Sequence, residues 1–218
     1  MTSPLTPNVA TSAAEAAKIK PRAEFRVFGH RIIEGVKAHL WNGKTVLQHA
    51  RQMPPETYFV SRHTQGVNVK VRDGLLDIKV KTGETVEGYE IFEPRGKFKF
   101  PVARKDMVTI LSALKAAVPK ELDGLDACTF EAFLEATRRQ GDLVPVTVEK
   151  MRWGFTIDGV ICEYAEVYAN GALLESACVE SEDHGAMKAV VEGLGLAARP
   201  NVSYLKALAA VVGVGAAS

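Results

Sequence analysis

Three two-residue turns constrain this chain more than any other feature. Asp73-Gly74, Asp158-Gly159 and Asn170-Gly171 each lie between runs in which apolar and polar side chains alternate. Such pairs favour the tight hairpin turn whose two central residues both take positive φ, so each marks an antiparallel pair of strands and fixes its register. Around Asp73-Gly74, Arg72 falls opposite Leu75, Lys70 opposite Asp77 and Asn68 opposite Lys79. Because side chains alternate across a pleated sheet, Asn68, Lys70, Arg72, Asp77, Lys79 and Lys81 share one face, and Val67, Val69, Val71, Leu76, Ile78 and Val80 share the other. The same counting around Asp158-Gly159 puts Lys150, Arg152, Gly154 and Glu163 on a polar face. Trp153, Phe155, Cys162 and Tyr164 fall opposite. Continuing through Asn170-Gly171 adds Ser176, Cys178 and Glu180 to the polar side.

An antiparallel sheet commonly has one wet side, and a solvated charged face is the plainest account of such segregation. But Lys70, Arg72, Lys79 and Lys81 share their face with a single acid, Asp77, and like charges opposite or diagonal to one another cost about 0.2–1 kcal/mol. A closed barrel that turns these faces inward, with the apolar faces covered by helices, would make the cations useful: its lumen would be a basic channel suited to a polyanion. The chain as a whole has no basic field, with 27 Lys and Arg against 26 acids. General nucleic-acid binding is therefore not expected, and any anion site must be local. The alternating bases and aromatics of "GYEIFEPRGKFKFP" (88–101) fit an edge strand or loop that packs its Phe residues.

Residues 1–22, rich in Pro, Ser, Thr and Ala, are expected to form a flexible tail, and 23–218 a single α+β domain. From Glu24 to about Phe92 the chain is rich in short strands. Four helices are expected afterwards. Over "KDMVTILSALKAAVP", Asp106 can cap and Pro119 stop the helix; over "TFEAFLEATRR", Thr129 can cap; two more run through "SEDHGAMKAVVEGLG" and "NVSYLKALAAVVG". Cys128, Cys162 and Cys178 lack a paired C-x-x-C spacing and suit small core positions, and the five His residues have no metal spacing. No run approaches the roughly 18 apolar residues of a membrane span, and no secretory signal is evident, which points to the cytoplasm. No P-loop, Rossmann or nucleophile-elbow motif occurs.

The order of these parts resembles the CYTH domain, or triphosphate tunnel, family. The resemblance runs over 24–208 and is carried by "RAEFR", the basic strands "VKVR" and "DIKVK", the later "EKMR", the acids of "ICEYAEV" and "VESED", and the closing "LGL…NVSYLKAL". It implies an antiparallel tunnel of about eight strands that binds triphosphate-type substrates, usually with Mg²⁺ or Mn²⁺, and in many members hydrolyses them. Arg26, Lys70, Arg72, Lys79, Lys81, Lys150 and Arg152 would then grip phosphates. Glu24, Glu163 and Glu180 would hold the metal, with Glu24 and Glu163 serving catalysis. The family's first strand reads E-x-E-x-K. Here Arg22 stands at the first acid, Glu24 at the second and Arg26 at the Lys, while Ser176 and Cys178 occupy inward positions on the late strand. Phosphate binding thus survives the comparison better than a two-metal site does. A non-catalytic tunnel that binds polyphosphate, a nucleotide or an acidic protein partner is the alternative.

Overall fold

The computed structural model describes residues 21–40 and 45–215, so all of the expected tail except Pro21 and Arg22 lies outside the described residues. Among the described residues eleven strands run β1 (Ala23–Gly29), β2 (Thr45–Gln52), β3 (Glu56–Ser61), β4 (Val67–Arg72), β5 (Leu75–Glu84), β6 (Glu90–Lys99), β7 (Val102–Ala103), β8 (Ala127–Cys128), β9 (Leu143–Ile157), β10 (Val160–Ala169) and β11 (Ala172–Ser181). Five helices accompany them: α1 (Ile32–Leu40), α2 (Arg104–Ala113), α3 (Phe130–Gln140), α4 (His184–Gly193) and α5 (Tyr204–Val211). Eight strands close into an antiparallel barrel in the order β1-β6-β5-β4-β3-β9-β10-β11, with β11 returning to β1. The long β9 pairs with β10 along one edge. Its other edge takes β3 and then β2, which extends the wall past the end of β3.

The three turns adopt the conformation their sequences dictate. Asp73 and Gly74 have φ of 51° and 71°, Asp158 and Gly159 48° and 83°, and Asn170 and Gly171 48° and 85°. The register around Asp73-Gly74 is the expected one, with Arg72 opposite Leu75, Lys70 opposite Asp77 and Asn68 opposite Lys79. Its valine face turns outward into a core with Phe59, Phe98, Met107, Leu111 and Phe133, beneath α2 and α3. A second outer core joins Phe25, Val27, Phe155, Cys162 and Val179 to Ile33, Val36, Met187 and Val191 of α1 and α4. Each such side chain removed from water contributes about 1.5–3 kcal/mol. These two layers hold the polar faces inward. The three cysteines are buried and free, as small core residues should be.

The inner face is not polar throughout. At one end Val60, Val146, Val148 and Val167, all lumen-facing, pack against Tyr204, Leu208 and Ala209 of α5. This last helix therefore closes one mouth of the barrel and leaves the charged portion of the lumen in front of its first turn.

Several local expectations are corrected. Helix α1 falls within a stretch read as strands. It buries Ile32, Ile33, Val36 and Leu40 on one side, and Glu175 of β11 accepts a hydrogen bond from the Ile33 N–H at 2.9 Å. Asp106 does not cap α2: the helix begins at Arg104, and Asp106 is buried within its first turn. The same helix ends at Ala113 rather than near Pro119, because Lys115 turns to φ 55°. Thr129 does cap α3, accepting from the Ala132 N–H at 3.2 Å. In the 88–101 stretch, β6 pairs with β5 along its length but with β1 only at Glu90 and Ile91. Its Phe98 is buried outside the barrel.

Candidate functional site

A cavity of about 200 Å³ occupies the charged part of the lumen. Arg26 reaches it from β1, Lys70 and Arg72 from β4, Lys79 from β5, and Lys150 and Arg152 from β9. Six of the seven expected phosphate-gripping residues therefore converge. Lys81 continues the same strand face but turns to a neighbouring cluster, where it bonds Glu84 and lies 3.1 Å from Glu90. Lys206 of α5 reaches Glu90 at 2.7 Å. The expected carboxylates Glu24, Glu163 and Glu180 also line the cavity.

The cations are extensively paired. Glu56, which sequence reasoning did not single out, is 0 % exposed and receives Lys150 at 2.7 Å, Lys70 at 2.8 Å and Arg72 at 3.3 Å. Burial alone would raise its pKa, but the two ammonium groups outweigh burial and bring it down to about 2. Lys150 is pushed down to about 8, because burial and the nearby Lys70 outweigh the attraction of Glu56. Lys70 is lowered by burial for the same reason. On the opposite wall Glu163 accepts from Arg152 Nε at 2.6 Å and from Arg26 Nη1 at 3.4 Å. Arg26 also donates to Glu24 at 2.8 Å and to Ser176 Oγ at 3.2 Å. Lys79, exposed at the lumen mouth, has no ion-pair partner among the described residues.

Glu24 and Glu180 sit opposite one another on β1 and β11. Their carboxylates and the Cys178 thiol present ligand atoms within 4.8 Å of one another. Burial raises the Glu180 pKa and the charge of Glu24 raises it further. For Glu24 itself, burial is outweighed by Arg26, Lys79 and Lys150, which leave it lowered. Two facing carboxylates, one resisting ionisation because of burial and then of the other's charge, are a donor set that a divalent cation would relieve. With phosphate oxygens and water they fit one hard ion such as Mg²⁺ or Mn²⁺. Cys178 adds little for such an ion, since burial pushes its thiol well up and it donates to Glu180 at 3.6 Å. Glu163 is turned toward the arginines instead. Glu175 lies on the outer face as the acceptor for α1.

Two further features were not read from the sequence. Tyr58 donates to Glu56 at 3.3 Å and stacks on Tyr204, ring centroids 5.6 Å apart. His49 of β2 lies against Gly154, where a Cβ would fall 2.3 Å from its ring. Only the alternation of Glu56, Tyr58 and Val60 after Pro54-Pro55 hinted at the first. Nothing in the sequence pairs His49 with Gly154.

The closed eight-stranded antiparallel barrel with a basic lumen is the tunnel architecture that the strand motifs imply. No family model matches the chain, and no curated protein does. Solved structures that align with it include a conserved hypothetical protein from Pyrococcus furiosus, at 17% identity and TM-score 0.49 over 85% of this chain and 98% of that one. An adenylate cyclase candidate from Bacillus halodurans aligns at 9% identity and TM-score 0.44 over 87% and 98%. An adenylyl cyclase candidate from Hippeastrum, described as having a dominant triphosphatase activity, aligns at 12% identity and TM-score 0.47 over 88% and 96%. Among the described residues no helix is long and apolar enough to cross a membrane.

Proposed function

We propose that the lumen binds a triphosphate-type phosphoanion together with one divalent ion, Mg²⁺ or Mn²⁺, and that the chain hydrolyses it. The observation that carries this reading is the convergence of six cations from four strands on one cavity. The acids refine it. Arg26, Lys70, Arg72, Lys79, Lys150 and Arg152 are set against Glu24, Glu56, Asp77, Glu163 and Glu180, a net of one positive charge. A triphosphate brings about four negative charges, so it fits this lumen better with a divalent cation than alone. That ion would neutralise phosphate charge between Glu24 and Glu180. Lys79, exposed and without an ion pair among the described residues, is the natural first contact. Arg152 and Arg26, held by Glu163, present donors in fixed directions, and an arginine can clasp phosphate oxygens through two parallel hydrogen bonds.

The test is release of phosphate from tripolyphosphate with and without Mg²⁺ or Mn²⁺. Release should require the ion and collapse in Glu24→Gln. Ion-independent release, or an unchanged Glu24→Gln, refutes the role given to Glu24. A second reading, binding without turnover, is favoured by Arg22 and Cys178 standing where further acids would strengthen the metal site. It predicts thermal stabilisation by tripolyphosphate with no phosphate released, since a ligand that binds only the folded state stabilises by mass action. In that reading the occupant is a polyphosphate, a nucleotide or an acidic segment of a protein partner. Stabilisation by an acidic peptide but not by tripolyphosphate would single out the last.

A further inference from the structure

The first turn of α5 opens directly onto the cavity, where Ser203, Tyr204 and Leu205 line the wall. The helix begins with the Ala207 N–H bonded to the Ser203 carbonyl at 3.0 Å, so the amides of its first turn have no acceptor within the helix. Ser203 stands at the capping position, yet its hydroxyl makes no capping bond. Both Ser203 Oγ and Tyr204 OH lack a hydrogen-bond partner among the described residues, although Ser203 is only 6% exposed and Tyr204 9%. Buried hydroxyls are normally satisfied, and one left unpaired costs about 1–3 kcal/mol. Two such groups side by side at the positive end of a helix, facing a basic cavity, call for an acceptor from outside the chain.

The geometry around them is rigid. The Val202 N–H bonds the Arg26 carbonyl at 2.7 Å, Asn201 Oδ1 accepts from the Arg26 N–H at 2.9 Å, and Asn201 Nδ2 donates to the Gly88 carbonyl at 2.9 Å. These bonds pin the segment before α5 to β1. The Tyr204 ring lies between Phe28 and Tyr58, with Arg26 and Lys150 positioned 4.7 and 4.9 Å from its centroid. Its hydroxyl is thus placed by packing, with no hydrogen bond to hold it. We propose that this end of the lumen is a phosphoryl-binding subsite: one phosphoryl group of the anion accepts from Ser203 Oγ, Tyr204 OH and the first-turn amides of α5.

The inference rests on the phosphoanion reading of the lumen, and one experiment separates the two. A methylene-bridged tripolyphosphate analogue that cannot be hydrolysed is titrated calorimetrically, with Mg²⁺, into the wild type, Ser203→Ala, Tyr204→Phe and Ser203→Thr. Each lost hydroxyl should weaken binding about tenfold, as expected of a hydrogen bond to a charged group, while Ser203→Thr, which keeps the hydroxyl, should stay close to the wild type. The melting temperatures of Ser203→Ala and Tyr204→Phe without ligand should not fall, because neither hydroxyl has a partner to lose among the described residues. Wild-type affinity in both hydroxyl-free variants overturns the subsite and leaves the lumen reading intact. A drop in their ligand-free melting temperatures overturns it too, by showing that the hydroxyls serve the fold. No binding by the wild type overturns the lumen reading, and the subsite with it.

Discussion

Replacing Glu56 by Gln tests whether the lumen's charges are held by one buried carboxylate. Glu56 is completely removed from solvent, and the Lys150 and Lys70 ammonium groups lie 2.7 and 2.8 Å from it. Burial opposes its ionisation, and the two lysines more than offset burial, taking its pKa from 4.5 to about 2. That displacement is worth about 3 kcal/mol of stability. Because the folded-state pKa is depressed, the contribution is present above pH 4.5 and is lost as pH falls through about 2. The amide keeps the shape but not the charge and leaves three cations around an uncharged centre. Breaking a buried pair in this way costs about 3–5 kcal/mol. For a domain of this size each kcal/mol lowers the melting temperature by about 2–4 °C, so Glu56→Gln should melt about 10 °C below the wild type at pH 7. Tripolyphosphate should stabilise the variant more than it stabilises the wild type, since it then supplies the missing counter-charge. Differential scanning calorimetry with and without the ligand reads both effects. A variant that melts within 2 °C of the wild type at pH 7 refutes the role assigned to Glu56.

Lys150 has its pKa depressed to about 8 by burial, so keeping it charged costs stability below pH 8, and stability should rise as pH goes from 8 toward 10.5. Lys150→Met should reduce that rise in a pH series of melts, leaving the part due to Lys70, which burial also lowers; if anion binding restores the lysine's charge, the heat of calorimetric titration of the wild type at pH 8 should change with the ionisation enthalpy of the buffer, the mark of proton uptake. Gly154→Ala would drive a Cβ to within 2.3 Å of the His49 ring and should cost about 1–3 kcal/mol. His49→Ala in the same chain should recover most of the loss in urea denaturation, and no recovery would show that the glycine serves another purpose.

How much was legible in the sequence depended on whether the determinant was local. Asp-Gly and Asn-Gly turns carry their own conformational demand, so the registers of β4–β5, β9–β10 and β10–β11 could be counted from the turns outward, and with them the face that Lys70 shares with Arg72 and Lys150 with Glu163; that these faces turn inward follows only from closure of the barrel. Helix α1 was hidden because Ile32, Ile33 and Val36 are β-branched and Gly35 lowers helix propensity. Its stability comes from burying four apolar residues against the barrel and from Glu175, far away in sequence. Asp106 reads as a cap, but the pairing of β7 with β8 delivers the chain into α2 three residues earlier, with Ala103 at the cap. Glu56 could be placed on a strand by pattern. Its function appears only on closure, when β3 lies between β4 and β9.

That position decides how the internal ion pairs should be understood. Glu56 on β3 ties Lys70 and Arg72 of one neighbouring strand to Lys150 of the other, so it fixes three cations at the junction of three strands. It does not exhaust them. An ammonium has three donors and a guanidinium five, whereas Lys70 and Lys150 each engage Glu56 through a single nitrogen with one bond's worth of contact. The same holds across the lumen, where Glu163 and Glu24 occupy only part of the Arg26 and Arg152 forks. The remaining donors can turn to an occupant without any pair being broken. Pairing therefore lowers the repulsion among cations that a barrel without an occupant must tolerate, and it keeps them aimed. An anion entering such a lumen has to bring its own counter-charge, which is why the facing pair Glu24 and Glu180 belongs to the same design as Lys79 and the unsatisfied hydroxyls of α5.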